Sequence, residues 1–150
     1  GKGEAAIMPR RHLVLCIALW GATALMAGLR AQPTPTVWDG VYTEDQATRG
    51  IALYDRECGQ CHGPAGAGGG MAPPLVGAAF SANYDGQTVG DLFERNRVTM
   101  PPGKEGQMGG QENADITAYI LKVNDFPAGQ AELPSQGMAL KGIHYLAFKP

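Results

Sequence analysis

At 150 residues, with 44 % hydrophobic and 17 % charged content, the chain has room for one small packed domain and a short extra segment. Its 12 Lys and Arg against 14 Asp and Glu give a net charge of −2, but four of those cations and only one acid precede residue 32, so the remainder holds 8 against 13 and carries −5. An acidic balance of that kind argues against nucleic acid as a partner.

The front of the chain differs from the rest. Met8-Pro9-Arg10-Arg11-His12 is a basic start, and Leu13 to Leu29 is an apolar run broken only by small residues and Thr23. Residues 1–31 read as upstream sequence before Met8 followed by a secretory signal peptide, with the cut after Ala31. That leader predicts a periplasmic or otherwise exported domain. If uncleaved, the same 17-residue run lies at the lower limit for a span and anchors the domain to a membrane. Cys16, inside the run, reads as apolar filler.

Residues 32–42 form an extended lead-in, Pro/Thr-rich at its start, with Trp38 expected to lie back on the domain. Thr43-Glu44-Asp45-Gln46 has the pattern of a capping box and opens a helix from about Glu44 to Glu57. Ala47, Gly50, Ile51 and Tyr54 fall on its inner face. Gly63 to Gly70 reads as a loop lying against a ligand's edge, because a phosphate loop needs a Gly-Lys-Ser/Thr ending that is missing. Met71 to Gly77 continues it with Pro73 and Pro74 as a stiff wall. Thr88 caps a second helix through Leu92 and Phe93 to about Val98, and Thr99-Met100-Pro101-Pro102 ends it. After a polar loop, a last helix spans about Gln111 to Asn124 with Ile116, Tyr119, Ile120 and Val123 inward, stopped by Phe126-Pro127. Residues 43–126 are thus the domain, and 127–150 a tail expected to wrap its surface. No strand pair is visible, so the class is all-α.

The chemistry sits in Cys58-Gly59-Gln60-Cys61-His62. Two thiols on one turn reach the two vinyl groups on one edge of a porphyrin, and the following histidine is carried beneath the ring to the iron. This is the pattern of covalent haem c attachment. Half a zinc site lacks its second Cys/His pair, since His144 is the only later histidine. A thioredoxin-like pair lacks its βαβ surroundings and leaves His62 without a role. Four methionines after the leader compete for the second axial position: Met71, Met100, Met108 and Met138. Met71 is too near His62 in sequence to cross the ring, and Met138 lies in the tail. Met100 is stiffened by Pro101-Pro102, whereas Met108 is flanked by glycines that hold nothing firmly, which leaves Met108 in reserve.

Over Thr43 to Asn124 the chain resembles the small single-haem class I cytochromes c. Gly50 and Tyr54 match the glycine and aromatic of that family's first helix, and Ile116 and Tyr119 match the apolar–aromatic pair of the helix that crosses it. Pro73, Leu75 and Gly77 match its Pro-x-Leu-x-Gly stretch, and Met100-Pro101 its methionine before proline. The resemblance implies a cytochrome c fold with the end helices crossing around the haem, and a Pro73 carbonyl accepting the His62 Nδ1 proton. Where many relatives carry a propionate-binding Trp, this chain has Asn83-Tyr84-Asp85, which makes Tyr84 the candidate there. The flanks Trp38 to Tyr42 and Phe126 to Gly129 resemble cytochrome domains associated with quinoprotein dehydrogenases. The expected function is one-electron transfer from a dehydrogenase or other donor to an oxidase or other cytochrome. The alternative is a haem enzyme or gas-binding protein with an open sixth iron position.

Overall fold

The computed structural model describes Gly3 and residues 33–150. The basic start, the apolar run and the leader's cut lie outside the described residues. The chain divides into Gly1–Pro33 and Thr34–Pro150, and the architecture below is that of the second unit.

Among the described residues the structure is helical. We label the helices α1 (Glu44–Glu57), α2 (Gly59–His62), α3 (Ala78–Tyr84), α4 (Val89–Thr99), α5 (Gly110–Val123) and α6 (Gly137–Leu140). Single 3-10 turns at Val37–Asp39 and Pro64–Gly66 accompany them, and the β-type pairings are isolated bridges from Thr36 and Thr88 to His144. The all-α class stands.

Helix α1 begins where its cap dictates. Thr43 Oγ1 accepts the Gln46 N–H at 3.1 Å, and Glu44 and Asp45 sit in the first turn, where carboxylates suit the helix dipole. The other half of the expected box is not made. The Gln46 amide turns instead to the tail, giving its N–H to Leu133 O at 3.0 Å and accepting from Leu133 N at 2.8 Å. Gln46 is therefore fully buried, while Ile51, expected inside, is 37 % exposed. The tail covers α1 on the Gln46 side and so rotates the buried face by a fraction of a turn.

Helices α1 and α5 cross at Gly50. A Cβ there would stand 2.1 Å from Asp115 O and 2.8 Å from Tyr119 Cβ, so only glycine lets the backbones approach this closely. One turn on, Tyr54 and Tyr119 meet with ring centroids 5.1 Å apart. Beside the crossing, Arg49 forks onto Asp115 at 3.0 and 3.1 Å and reaches Glu132 at 2.8 Å. Helix α5 starts and ends within a residue of expectation, with Ile116, Tyr119 and Ile120 buried and Val123 only half covered. It is buried almost all round from Asn113 to Leu121, which makes it the axis of the domain.

Helix α4 opens with a complete capping box: Asp91 N donates to Thr88 Oγ1 at 3.2 Å and Thr88 N to Asp91 Oδ2 at 2.9 Å. Helix α3 was not expected. Its first N–H groups find no local cap, and Asn124 Oδ1 at the end of α5 accepts the Gly77 N–H at 3.1 Å.

The tail also corrects the sequence reading. It does not merely wrap the surface; it places Leu133, Leu140, Ile143 and Tyr145 in the core, with Tyr145 at 0 % exposure. Helix α6 lies so close to α4 that a Cβ on Gly90 would stand 2.7 Å from Lys141 Cγ. The lead-in pairs with the same stretch through Val37 N to His144 O and His144 N to Pro35 O, both 2.9 Å. Trp38 lies back as expected, edge-on to Phe126 at 4.8 Å, with its Nε1 donating to Leu146 O at 2.9 Å. A small domain built around a cavity has little apolar surface to bury, and both flanks make up the deficit.

Candidate functional site

Helices α3, α4 and α5 and the segments after α2 and α4 enclose a cavity of about 860 Å³. Its walls include Leu75, Phe80, Leu92, Ile116 and Ile120, and Cys58, Cys61, His62, Pro73, Tyr84 and Met100 all line it. The favoured site residues thus face one space.

The histidine is placed by backbone geometry. Helix α1 stops at Cys58, whose N–H still bonds Tyr54 O at 2.8 Å, and one further turn carries His62 beneath it, with His62 N on Cys58 O at 3.0 Å. The His62 ring is buried, and its Nδ1 lies 2.8 Å from Pro73 O. A carbonyl oxygen only accepts, so Nδ1 carries the proton and Nε2 is the lone-pair nitrogen. That is the tautomer an axial imidazole needs, with its second nitrogen held by a carbonyl.

The glycines after His62 act differently from expectation. None of Gly63 to Gly70 lines the cavity. They let the loop fold on itself: Gly63 has φ 75°, and a Cβ there would stand 2.4 Å from Gly68 O. A Cβ on Gly69 would stand 2.9 Å from Cys61 O, while Gly68 N donates to His62 O at 2.6 Å. Leu75 N then bonds Gly66 O at 2.8 Å and returns the chain so that Pro73 reaches the imidazole.

Cys58 and Cys61 are both free and half-buried. Burial pushes the Cys58 thiol up to about 11, with Glu57 adding to the effect, so it is neutral at pH 7. Among the described residues no group of three or more His, Cys, Asp and Glu is placed to hold a metal ion.

Of the methionines, Met71 (68 % exposed) sits at the rim, and Met138 (80 % exposed) does not line the cavity. Met100 closes α4, giving its N–H to Asn96 O at 3.0 Å, in extended conformation ahead of Pro101. Met108 also lines the cavity, and here a correction is needed. Its carbonyl is gripped by Asn113 Nδ2 at 3.1 Å, with Gly109 O on the same nitrogen at 3.0 Å, so the flanking glycines do not leave it loose. The Met108 side chain packs against the core, a set to which Met100 does not belong.

Tyr84 is buried between Phe80 and Tyr145, with ring centroids 5.0 and 5.7 Å away. Burial raises its hydroxyl pKa, and the charge of Arg95 opposes that shift. Arg95 and Asn96 also line the cavity and were not singled out from the sequence. The available signal was Asn96 four residues after Leu92, a polar side chain on the inward stripe of α4.

The residues fit haem. The volume lies within the range of about 300–1,000 Å³ typical of cofactor sites. The cavity has apolar faces, two thiols followed by a lone-pair imidazole at one place, thioethers at another, and unpaired polar groups for charged side arms.

The family described as cytochrome C oxidase, cbb3-type, subunit III matches residues 45–120, from the first turn of α1 to the last turn of α5. No curated protein and no solved structure matches the chain. The matched stretch contains the cysteine pair, His62, Pro73 and Met100, and is a cytochrome c domain, which implies covalent haem c and electron transfer with redox partner proteins. By that match the chain belongs to the monohaem cytochrome c family.

Proposed function

We propose that this chain is an exported one-electron carrier in which Cys58 and Cys61 would hold a haem through thioether bonds and His62 and Met100 would bind its iron. The observation that carries the reading is the His62 Nδ1 to Pro73 O bond of 2.8 Å, inside a cavity that both cysteines and Met100 also line. Haem supplies, when bound, a one-electron couple at its iron.

The chain's own residues set how that couple behaves. Pro73 O holds the imidazole in one tautomer and raises its basicity. Met100 is favoured over Met108 because Met100 is stiffened from the next residue on by proline, whereas Met108 packs against the core cluster. A thioether ligand favours Fe(II), and apolar walls such as Leu92, Ile116 and Ile120 disfavour the added charge of Fe(III). Both raise the potential, so a positive value is expected. With His62 and Met100 both bound to the iron, no position would remain for substrate, which favours a carrier over an enzyme.

The partners follow by chemistry and family. The donor is a dehydrogenase or similar protein and the acceptor an oxidase or another cytochrome, a choice that the family's description supports. The −5 balance after residue 31 predicts salt-sensitive docking on a basic partner surface. The leader residues support a periplasmic location, with membrane attachment only if they are retained.

The test is spectroscopic. The oxidised protein should show a weak band at about 695 nm, and Met100→Ala should abolish it and lower the potential by on the order of 100 mV or more. Met108→Leu should leave both in place. Absence of the band, together with ready carbon monoxide binding by the reduced protein, would replace the carrier with an open-site haem protein. A pyridine haemochrome assay without covalent haem would remove both readings.

A further inference from the structure

Two side chains at the cavity have nothing among the described residues to satisfy them. Asn96 Nδ2 is fully buried and has no hydrogen-bond partner among the described residues. A buried donor left unpaired is unfavourable and rare in native proteins, so an acceptor is expected to enter from the cavity. It is not Met100 Sδ, which makes no hydrogen bond with Asn96 Nδ2.

Arg95 is the second. Among the described residues Arg49, Arg56, Arg97, Lys104, Lys122 and Lys141 each hold a carboxylate. Arg95 does not, yet it lines the cavity. Two acids share that lining, and both are already engaged. Asp91 is held by Thr88 and Lys141, and Glu57 by Arg56 and Lys104. Tyr84, whose hydroxyl feels the Arg95 charge, completes the corner. A buried neutral donor and an unpaired guanidinium that line one cavity from the same helix together suit a carboxylate.

We propose that Asn96 and Arg95 together hold one propionate of the haem, with Asn96 Nδ2 the inner donor and Arg95 the charge at the exposed side. The inference rests on the haem reading above. It makes both positioning residues: they fix the orientation of the ring and neutralise a negative charge near the iron. It also ties the propionate to the second ligand, because Asn96 O accepts the Met100 N–H at 3.0 Å.

The experiment is NMR on the full haem-loaded chain in its reduced, diamagnetic state. The Asn96 side-chain amide protons should show cross-relaxation to one propionate's methylene protons and slowed exchange with water. Asn96→Leu should shift the resonances of that propionate, spare the other, lower the potential and keep the 695 nm band. Arg95→Gln should move the same propionate less. Asn96→Asp, which keeps the shape, should lower the potential further by setting carboxylate against carboxylate. Propionate resonances unmoved by every variant, or wild-type amide contacts to water or the Met100 methyl alone, would overturn the proposal. The wild-type contact needs no variant to fold. A chain with no covalent haem sinks the carrier reading, whereas covalent haem with an uncoupled Asn96 sinks only this inference.

Discussion

The loops on which His62 and Met100 depend are held by different means. Residues 63–77 contain no charged side chain and are locked by backbone. Gly68 N bonds His62 O at 2.6 Å, Leu75 N bonds Gly66 O at 2.8 Å, and Gly63 and Gly69 press on neighbouring carbonyls. Residues 100–109 combine backbone bonds (Lys104 N to Pro101 O and Gly106 N to Arg97 O, both 3.0 Å) with side-chain ties: Asn113 grips Met108 and Gly109, and Lys104 reaches Glu57 at 3.2 Å. Their Gly103 and Gly106 have nothing within 4 Å of a built Cβ. A ring that must be both aimed and tautomerically fixed is held by elements that cannot give. The methionine loop relies in addition on side-chain tethers, each removable by a single substitution.

The sharpest way to break this contrast is a pair of alanines. Gly63→Ala puts a Cβ 2.4 Å from Gly68 O at φ 75°, and should destabilise by about 3 kcal/mol or more and reduce the covalently loaded fraction. Gly103→Ala, at φ 85° in open space, should cost only about 1 kcal/mol and leave loading intact. Equal losses in thermal unfolding would erase the distinction. Asn113→Ala comes next, at about 1–2 kcal/mol for two part-buried carbonyls losing their side-chain donor. It should raise hydrogen exchange in 103–109 while leaving 63–77 unchanged. Lys104→Ala should give a small drop in Tm at low salt that vanishes in high salt, as for an exposed ion pair.

The smallest effect is a pH dependence outside both loops. Hydrogen bonds from Thr88 and Lys141 hold the Asp91 carboxyl below its ordinary 3.8. Its folded pKa is depressed, so its contribution is present above the ordinary value and lost as pH falls through the lower, folded one. Below about pH 4 the start of α4 should loosen from the tail, read as faster exchange at residues 88–92; Lys141→Ala should bring the loosening to higher pH.

What was legible in the sequence was local. Thr43 and Thr88 sit three residues before the groups they cap, and the bounds of α1, α4 and α5 followed within a residue or two. Gly50 announced a close helix crossing, and the cysteine turn located its histidine. The illegible parts needed a partner far along the chain. Helix α3 is capped by Asn124, 47 residues on, so its own sequence carried no start signal. Gln46 looked like half a capping box because its true partner, Leu133, is 87 residues away. Tyr145 sits in an aperiodic stretch, and its burial depends on rings contributed by Tyr84 and Phe126. Asn96 and Arg95 were missed because a polar residue on a helix face reads as solvent-facing until the cavity beneath is known.

The pairing of Pro35 and Val37 with His144, and of Trp38 with Leu146 across 108 residues, has a consequence in time. Helices form fast from near neighbours, whereas contacts between distant residues must close a long loop and form slowly. This domain places such contacts at both ends of its core, with Cys58 and Cys61 in the interval between them. The cavity's own lining ends at Ile120, but Tyr84 in that lining packs on Tyr145, so the wall is unbacked until the last segment is available. The core behind that wall therefore closes last, after the segment carrying Cys58 and Cys61 has been made.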